Sequence, residues 1–556
     1  MGVTGHRNLR PEDEPALANA VDGFFVELAA LYPHSDLLVI SGLAEGADRL
    51  VASRAQELGH PVIALLPMPL ADYERDFLTE ESLLAFRTAL DRCARTIELP
   101  WIRGEGASGD DPHARRAQYV LLGDELVANS AIVLALWNGH STGLAGGTDA
   151  VVTNARRGRA EAALSAFDAP ATFVAHIVTP RVSQPDTIGV PFSRTSLEDA
   201  DKHPCLVPLR QQDTWNRDSA ALWEAGRGED GADSGRDVVE RTFNIADTLA
   251  ISEQIVEQRA FLSVYLLFGV ATLIFGAYGS SLTDTDWLLL IDVIITAAGF
   301  IAYAVASTRK APDRFQDYRA LAEGLRVQAA WAEAGLHADV ADHYTNHHRG
   351  VLDWEDDDSP DEPGGKLQWI RRTVRVSKQL HDFGIDGERD VRDARERIRA
   401  VDSDWIAPQA AYFDRAAGKK MKMARRCRIA WRSLAVGALA VTICLTAAVE
   451  IPPFRAFGDG PAKGWILFAI TMLSIGAALV QSYADKRAPG ALAKRYVVMH
   501  RTFAAATRAI REHLDGDFDE AHMKHIVFEL GKEALAENAE WMIAMRDRPL
   551  ESVLSA

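Results

Sequence analysis

Apolar residues follow two regimes along this chain. Up to about residue 225 they come as short continuous runs separated by stretches of helical spacing. Beyond it they come as four uninterrupted segments of membrane length. In the first regime, residues 36–41, 61–67 (PVIALLP), 131–137 (AIVLALW) and 172–178 read as strands, and residues 48–58 and 114–129 read as helices. Continuous apolar strands alternating with helices predict an α/β fold, a doubly wound parallel sheet buried on both faces. The Gly- and Asp-rich stretch 225–236 reads as a linker. Residues 237–258 then form a charged amphipathic helix running into the first long apolar segment.

In the second regime, segments 260–280 and 287–307 form one pair across the short polar loop 281–286, and 433–449 and 465–482 form another. A spanning helix needs about 20 apolar residues, so the first pair is long enough, while 433–449 is at the short limit but carries no charge. An all-α membrane domain of four transmembrane helices in two hairpins is predicted. Lys419, Lys420, Lys422, Arg425, Arg426, Arg428 and Arg432 precede the third span. Arg309, Lys310 and Arg314 follow the second, and Lys486, Arg487, Lys494 and Arg495 follow the fourth. The first hairpin loop has no Lys or Arg, and the second has only Arg455 and Lys463. The positive-inside rule then predicts a multi-pass inner-membrane protein with both termini and the long middle segment in the cytoplasm.

The hairpins also read as repeats. Lys310-Ala311-Pro312 leads to Tyr318 and a helix through Trp331, and Arg487-Ala488-Pro489 leads to Tyr496 and a helix through Leu514. Each helix starts beside a proline, where proline fits best, and such self-similarity implies duplication.

Candidate chemistry sits in three loops that a parallel sheet would bring together at the carboxyl ends of its strands. The first follows the opening run MGVTGHR and supplies Thr4, Gly5, His6 and Arg7. The second lies in LLVISGLAEGADR (37–49) and supplies Ser41, Gly42, Leu43, Glu45, Gly46, Asp48 and Arg49. The third supplies Asn138, Gly143, Gly146, Gly147, Thr148 and Asp149, with a helix beginning at Asp149. Glycines admit a ligand close to backbone N–H groups, and helix N-termini favour anions. The hydroxyls of Thr4, Ser41 and Thr148 and the guanidinium of Arg7 suit a phosphate. Tyr73, Arg75 and Asp76 fit either a pocket rim or a solvated helix start, and Trp137 fits a core cap better than a base-stacking platform.

GVTGHR, SGLAEGADR and WNGxxxxGxxGGT (137–148), in that order, resemble the SLOG superfamily, Rossmann-like domains related to DprA and the LOG cytokinin-activating enzymes. The resemblance covers about residues 1–225. The hairpin units, with the helix after each and the Glu537-Asn538…Trp541 region, resemble the SLATT family of two-span effectors associated with bacterial nucleotide-signalling defence systems. Together the resemblances imply a ligand-sensing head on a pore-forming or membrane-disrupting effector. The SLOG-like head of melastatin-type cation channels is a more distant parallel. One departure bears on catalysis. LOG enzymes carry a PGGxGTxxE motif whose glutamate acts on the ribosyl centre, and Val151 stands at that position here. Asp149 or Glu45 could substitute only at a different spacing, so sensing is favoured over N-glycosidic hydrolysis.

Other features bound the picture. A net charge of −18 over 556 residues argues against a nucleic-acid partner. Cys93, Cys205, Cys427 and Cys444 show no metal spacing and read as reduced thiols of a cytosolic soluble part. His343 and His347 are spaced for a metal on a helix face, with His337, His348 and Asp356–Asp358 nearby, but the adjoining DDDSPDEPGG run reads as a solvated loop, so no metal is expected. The chain opens in the first glycine turn, which suggests no cleavable signal peptide, a truncated first strand and an upstream start codon. Asp292 lies inside the second span and fits either a functional group or one that snorkels to the interface. With Asp284, Asp286 and Glu450 at the outer ends of the spans, it makes a set of pore candidates that an oligomer would arrange as acidic rings favouring cations.

The expected organisation is a SLOG-like domain over 1–225, a linker and amphipathic helix over 226–259, a first hairpin over 260–307, a cytoplasmic helical region over 308–432, a second hairpin over 433–482, and C-terminal cytoplasmic helices over 483–556. The expected partners are a small nucleotide-derived signalling ligand, with no other cofactor, a lipid bilayer and further copies of the chain in a homo-oligomer. The competing readings are a membrane-tethered nucleotide or N-glycosidic-bond hydrolase of LOG type and a scaffold with a vestigial pocket.

Overall fold

The computed structural model describes residues 1–102, 111–157, 172–197, 203, 205–224, 238–280, 285–308, 311–343, 368–384, 392–450 and 462–546. They fall into two compact units, Met1–Asp230 with Thr345–Gly384, and Gly231–Tyr344 with Ile385–Ala556.

The first unit is a Rossmann-like α/β domain. Its strands β1 (Gly2–Gly5), β2 (Val39–Ser41), β3 (Val62–Leu66), β4 (Arg95–Glu98), β5 (Ile132–Trp137) and β6 (Phe173–Val178) form one parallel sheet in the order β4-β3-β2-β1-β5-β6. Helices α1 (Glu14–Leu31), α2 (Ala47–Glu57), α3 (Leu70–Tyr73), α4 (Glu80–Asp91), α5 (Pro112–Ala128), α6 (Thr148–Arg157) and α7 (Val207–Glu224) accompany the strands. Successive strands bury alternate residues on opposite faces. Val39, Leu134 and Leu136 join the α1 and α2 side chains Leu17, Phe24, Val51 and Ala55. Ile40 and Val133 face Leu126 of α5 and Val151 and Ala155 of α6. Strand β4 escapes a reading by apolar runs because it is a half-exposed edge with Arg95 and Glu98 at its ends. The direction of winding reverses between β1 and β5, and such a switch point opens a crevice at the carboxyl ends of the strands.

The second unit is helical: α8 (Val238–Ser280), α9 (Trp287–Thr308), α10 (Ala311–Glu333) and α11 (Val340–His343) come first. The next helix, α12 (Gln368–Gly384), belongs instead to the first unit and packs on α7, with Trp369 beside Trp215 at 6.2 Å. Arg375 Nη1 of α12 donates to Ala128 O at 3.0 Å, capping the last carbonyls of α5. The expected 308–432 region is therefore shared between the two units. The second unit resumes with α13 (Ala394–Val401), a π turn at Asp402–Ile406, α14 (Ala407–Glu450), α15 (Ala462–Arg487), α16 (Pro489–Asp515) and α17 (Glu520–Arg546).

Among the described residues four helices are long and apolar enough to cross a membrane, lying within Val238–Gly279, Trp287–Val305, Ala394–Ala448 and Lys463–Asp515. Large apolar side chains such as Leu290, Val293, Ile301 and Val436 stand more than half exposed on them, as a lipid-facing surface requires. The amphipathic segment and the first span form one unbroken helix, α8. The two hairpins share an arrangement: α8 packs on α9 through its apolar part and on α10 through its polar part, and α14 does the same with α15 and α16. Gly299 of α9 sits against the Phe268 ring, and Gly437 of α14 and Gly476 of α15 sit against Leu473 and Leu434. Small residues at such crossings let helices approach where lipid offers no hydrophobic drive. Arg326 of α10 lies 5.0 Å over Phe243 of α8, and His500 Nδ1 of α16 meets Ala410 O of α14 at 3.0 Å. The hairpins meet through α8 and α15, where Tyr265 and Ser482 hydroxyls are 2.9 Å apart.

Candidate functional site

A cleft of about 290 Å³ lies at the carboxyl ends of β1, β2 and β5, beside the switch point. Ten of the loop residues singled out in the sequence line it: Thr4, Gly5, His6, Arg7, Gly42, Asp48, Gly146, Gly147, Thr148 and Asp149. Ser41, Leu43, Glu45, Gly46, Arg49 and Asn138 are not among its lining residues.

The second turn is folded onto the first. Gly46 has φ +77°, and a Cβ there would lie 2.3 Å from Arg7 O and 2.5 Å from His6 O, so only glycine fits. Directly after it, Ala47 N donates to His6 O at 3.0 Å. Ser41 Oγ accepts from Leu43 N at 3.1 Å and donates to Asp48 O at 3.2 Å, bracing Leu43 at its positive φ of 52°. Glu45 and Arg49 are committed elsewhere. Ser82 Oγ donates to Glu45, Arg49 Nε donates to Leu43 O at 3.2 Å, and the Arg49 guanidinium lies 4.8 Å over Phe77.

The third loop is tied to the first by a histidine. Asn138 N donates to His6 Nε2 at 3.0 Å, a bond that needs that nitrogen unprotonated. Burial, with the nearby Arg181 charge, pushes the His6 pKa down to about 4. His6 is thus a neutral pin at neutral pH. Asn138 is fully buried and its Oδ1 accepts from His140 N at 3.2 Å. Asp149 folds the loop back on α6: Ser141 Oγ and Thr142 N donate to it at 2.8 Å, Gly143 N at 3.0 Å and Thr142 Oγ1 at 3.1 Å. Burial opposes its charge, yet these donors hold its pKa below the ordinary value. Gly146 has φ +78°, and a Cβ there would lie 3.1 Å from the Tyr119 carbonyl carbon, so glycine lets the loop pass close to α5.

Several walls come from outside these loops. Tyr119 of α5 sits under Arg7, whose guanidinium carbon is 5.2 Å from its ring centre. Tyr73, read as either a rim residue or a solvated helix start, lines the cleft but is buried, and donates to Gly42 O at 2.9 Å. Asp76 accepts from Tyr119 and Arg115, and Arg75 pairs with Asp72 at 3.7 Å, so neither serves as an open rim group. Trp137 lines the cleft and donates its indole N–H to His140 O at 3.1 Å. Arg181 reaches the cleft from just beyond β6. Its buried Nε has no hydrogen-bond partner among the described residues. Its signal in the sequence is an arginine just past the end of a parallel strand, where such sheets bind ligands. Tyr119 carries no such signal, being one residue of an ordinary helix.

Chemically, the cleft offers guanidinium groups at Arg7 and Arg181, hydroxyls at Thr4 and Thr148, and the N-terminus of α6. Asp48 is buried, and burial raises its pKa to about 7 against the pull of Arg7. Val151 packs on Gly123, where a Cβ would come within 2.9 Å of its Cγ2, so the wall is apolar at the position of the LOG glutamate.

Elsewhere, Asp292 stands within α9 with a buried Oδ1 lacking a hydrogen-bond partner among the described residues, and Asp286 accepts from Tyr278 at 3.3 Å. Asp284 lies outside the described residues, and Glu450 ends α14. His343 packs edge-on to Trp331 at 5.5 Å and Phe528 at 5.1 Å, while His347, His348 and Asp356–Asp358 lie outside the described residues. No group of three metal-ligating side chains occurs among the described residues. Comparison of the chain with family models, curated proteins and solved structures finds no match.

Proposed function

We propose that this protein is a membrane effector gated by a nucleotide-derived ligand, which binds the cleft of the α/β unit and biases the arrangement of the four apolar helices. The observation that carries the reading is the cleft itself. It joins three glycine loops, a helix N-terminus and two arginines at a sheet switch point, in a chain that also has four helices of membrane length. A ligand moves such an equilibrium only by binding one state more tightly than the other. Against N-glycosidic turnover stands the commitment of the two carboxylates nearest in sequence role to the missing glutamate, Asp149 to its own loop and Glu45 to Ser82. The resemblance of its sequence motifs to SLOG and SLATT proteins is what favours a role in bacterial defence or stress signalling. In this reading the protein is a homo-oligomer in the inner membrane with both termini cytoplasmic, and Asp292 and the outer acids lie near a cation path.

The test uses the full chain in liposomes with a panel of cyclic and ADP-ribose-derived nucleotides. One of them should release trapped cations, and Asp292→Asn should alter the ion selectivity of that release without changing the ligand concentration that triggers it. Absence of any nucleotide-dependent release, or steady conversion of a nucleotide to free base, would refute the proposal.

A further inference from the structure

The polar part of the second unit encloses a separate cavity of about 150 Å³ where α8, α10, α14, α16 and α17 converge. Its walls are largely rings. Phe413 lies 5.7 Å from Tyr496 and 5.6 Å from Phe503, Trp405 lies 5.6 Å from Phe503, and Phe315 meets Trp541 at 5.8 Å. Tyr412 is 40% exposed and stands at the rim. Glu537 and Trp541, part of a stretch the α/β cleft leaves unused, both face this space.

The charges around the cavity do not balance. Arg319 pairs with Glu323 at 2.6 Å and with Asp247 at 3.5 Å, and Arg326 pairs with Glu323 at 2.8 Å. Arg495 pairs with Glu540 at 3.0 Å and donates to the Glu537 carbonyl at 3.2 Å. Its Nε comes only to 3.6 Å from Glu537 Oε1, which is buried and accepts no hydrogen bond among the described residues. Of these groups, Arg319, Glu323 and Glu537 line the cavity, one guanidinium against two carboxylates, and the incompletely served one is Glu537. Burial, reinforced by Glu323 and Glu540 and opposed by Arg495, raises its pKa to about 7.

An apolar ligand would leave that carboxylate unanswered, and an anion would add to the excess. Ring faces carry negative potential and attract cations, most strongly where water is excluded. We propose that this cavity binds a small organic cation bearing an ammonium or methylated ammonium group, held among the rings of Tyr412, Phe413, Tyr496 and Trp541 with Glu537 as its counter-ion. The Arg319 charge does not oppose such a guest, because Glu323 and Asp247 already neutralise it.

Choline and its uncharged carbon isostere, 3,3-dimethylbutan-1-ol, test the proposal on the full chain in nanodiscs by calorimetry and saturation-transfer NMR. Choline should bind saturably at one site per chain, at least tenfold more tightly than the isostere. Glu537→Gln should weaken choline at least tenfold. Tyr412→Ala, a change at the exposed rim that leaves the buried ion pairs untouched, should weaken it several-fold. No saturable choline binding, equal affinity for the uncharged isostere, or unchanged affinity in both variants would overturn the proposal.

Discussion

The cleft of the α/β unit and the cavity of the helical unit are built from different material. The cleft is built on three turns of backbone, folded so closely at Gly5 and Gly46 that a Cβ there would meet a carbonyl oxygen within 3 Å. The cavity is made of side chains, with rings and carboxylates from five helices. A backbone wall holds N–H groups at fixed positions, which suits an anion, and it cannot yield. A wall of rings can adjust its rotamers, suits a cation, and depends on the desolvation of a few charges. The two sites should therefore fail differently under mutation and under pH.

The sharpest test of that contrast is Gly46→Ala. The new Cβ would meet two carbonyl oxygens within 2.5 Å at a positive φ, so we expect a loss of about 3 kcal/mol or more, read by thermal unfolding or limited proteolysis of the α/β unit. Phe503→Leu, by contrast, exchanges one cavity wall for a somewhat smaller one and should cost about 1–1.5 kcal/mol. Comparable losses for the two would erase the distinction.

Glu537→Gln comes next, and its sign depends on pH. The folded-state pKa is raised from 4.5 to about 7, so the neutral carboxyl contributes stability that is complete below pH 4.5 and lost as pH rises through about 7. The glutamine variant keeps a neutral group throughout. It should match the wild type near pH 4 and exceed it at pH 8 by up to about 3 kcal/mol in thermal or denaturant unfolding.

Arg7→Ala should weaken any nucleotide that the cleft binds by about 1.5–3 kcal/mol through loss of a charge-assisted contact, with the melting temperature unchanged. Calorimetry on the folded variant checks it, and normal affinity would mean that the anion sits elsewhere. The smallest effect concerns Asp48. Affinity for an anionic ligand should fall by about threefold as pH rises through about 7 and Asp48 ionises, and Asp48→Asn should flatten that profile.

The legibility of the two sites follows from the same contrast. Each loop of the cleft is one short stretch of sequence, so its glycines, hydroxyls or arginine announce themselves together, and the apolar strands before the loops mark the sheet. What escapes is what the fold supplies from a distance: Tyr119 in mid-helix, Arg181 beyond β6, and the engagement of Glu45 and Arg49 away from the cleft. Helix α12 escapes too, because nothing in its amphipathic spacing says that it belongs to the first unit and docks on α7, far earlier in the chain. The spans are legible from length alone. The cavity is not, since each of five helices contributes only three or four residues, and their apolar spacing looks like ordinary core.

Helices α8 and α14 run without interruption for 43 and 44 residues, from the polar part of the unit into the apolar part. At 1.5 Å per residue each is a rod about 65 Å long, of which a bilayer core takes only about 30 Å. A rod of that length is a lever. A tilt of about 5° about one end carries the other by about 6 Å, more than a full helical turn of rise. Small rearrangements among the polar halves are thereby magnified at the far side of the bundle, with no need for any helix to bend.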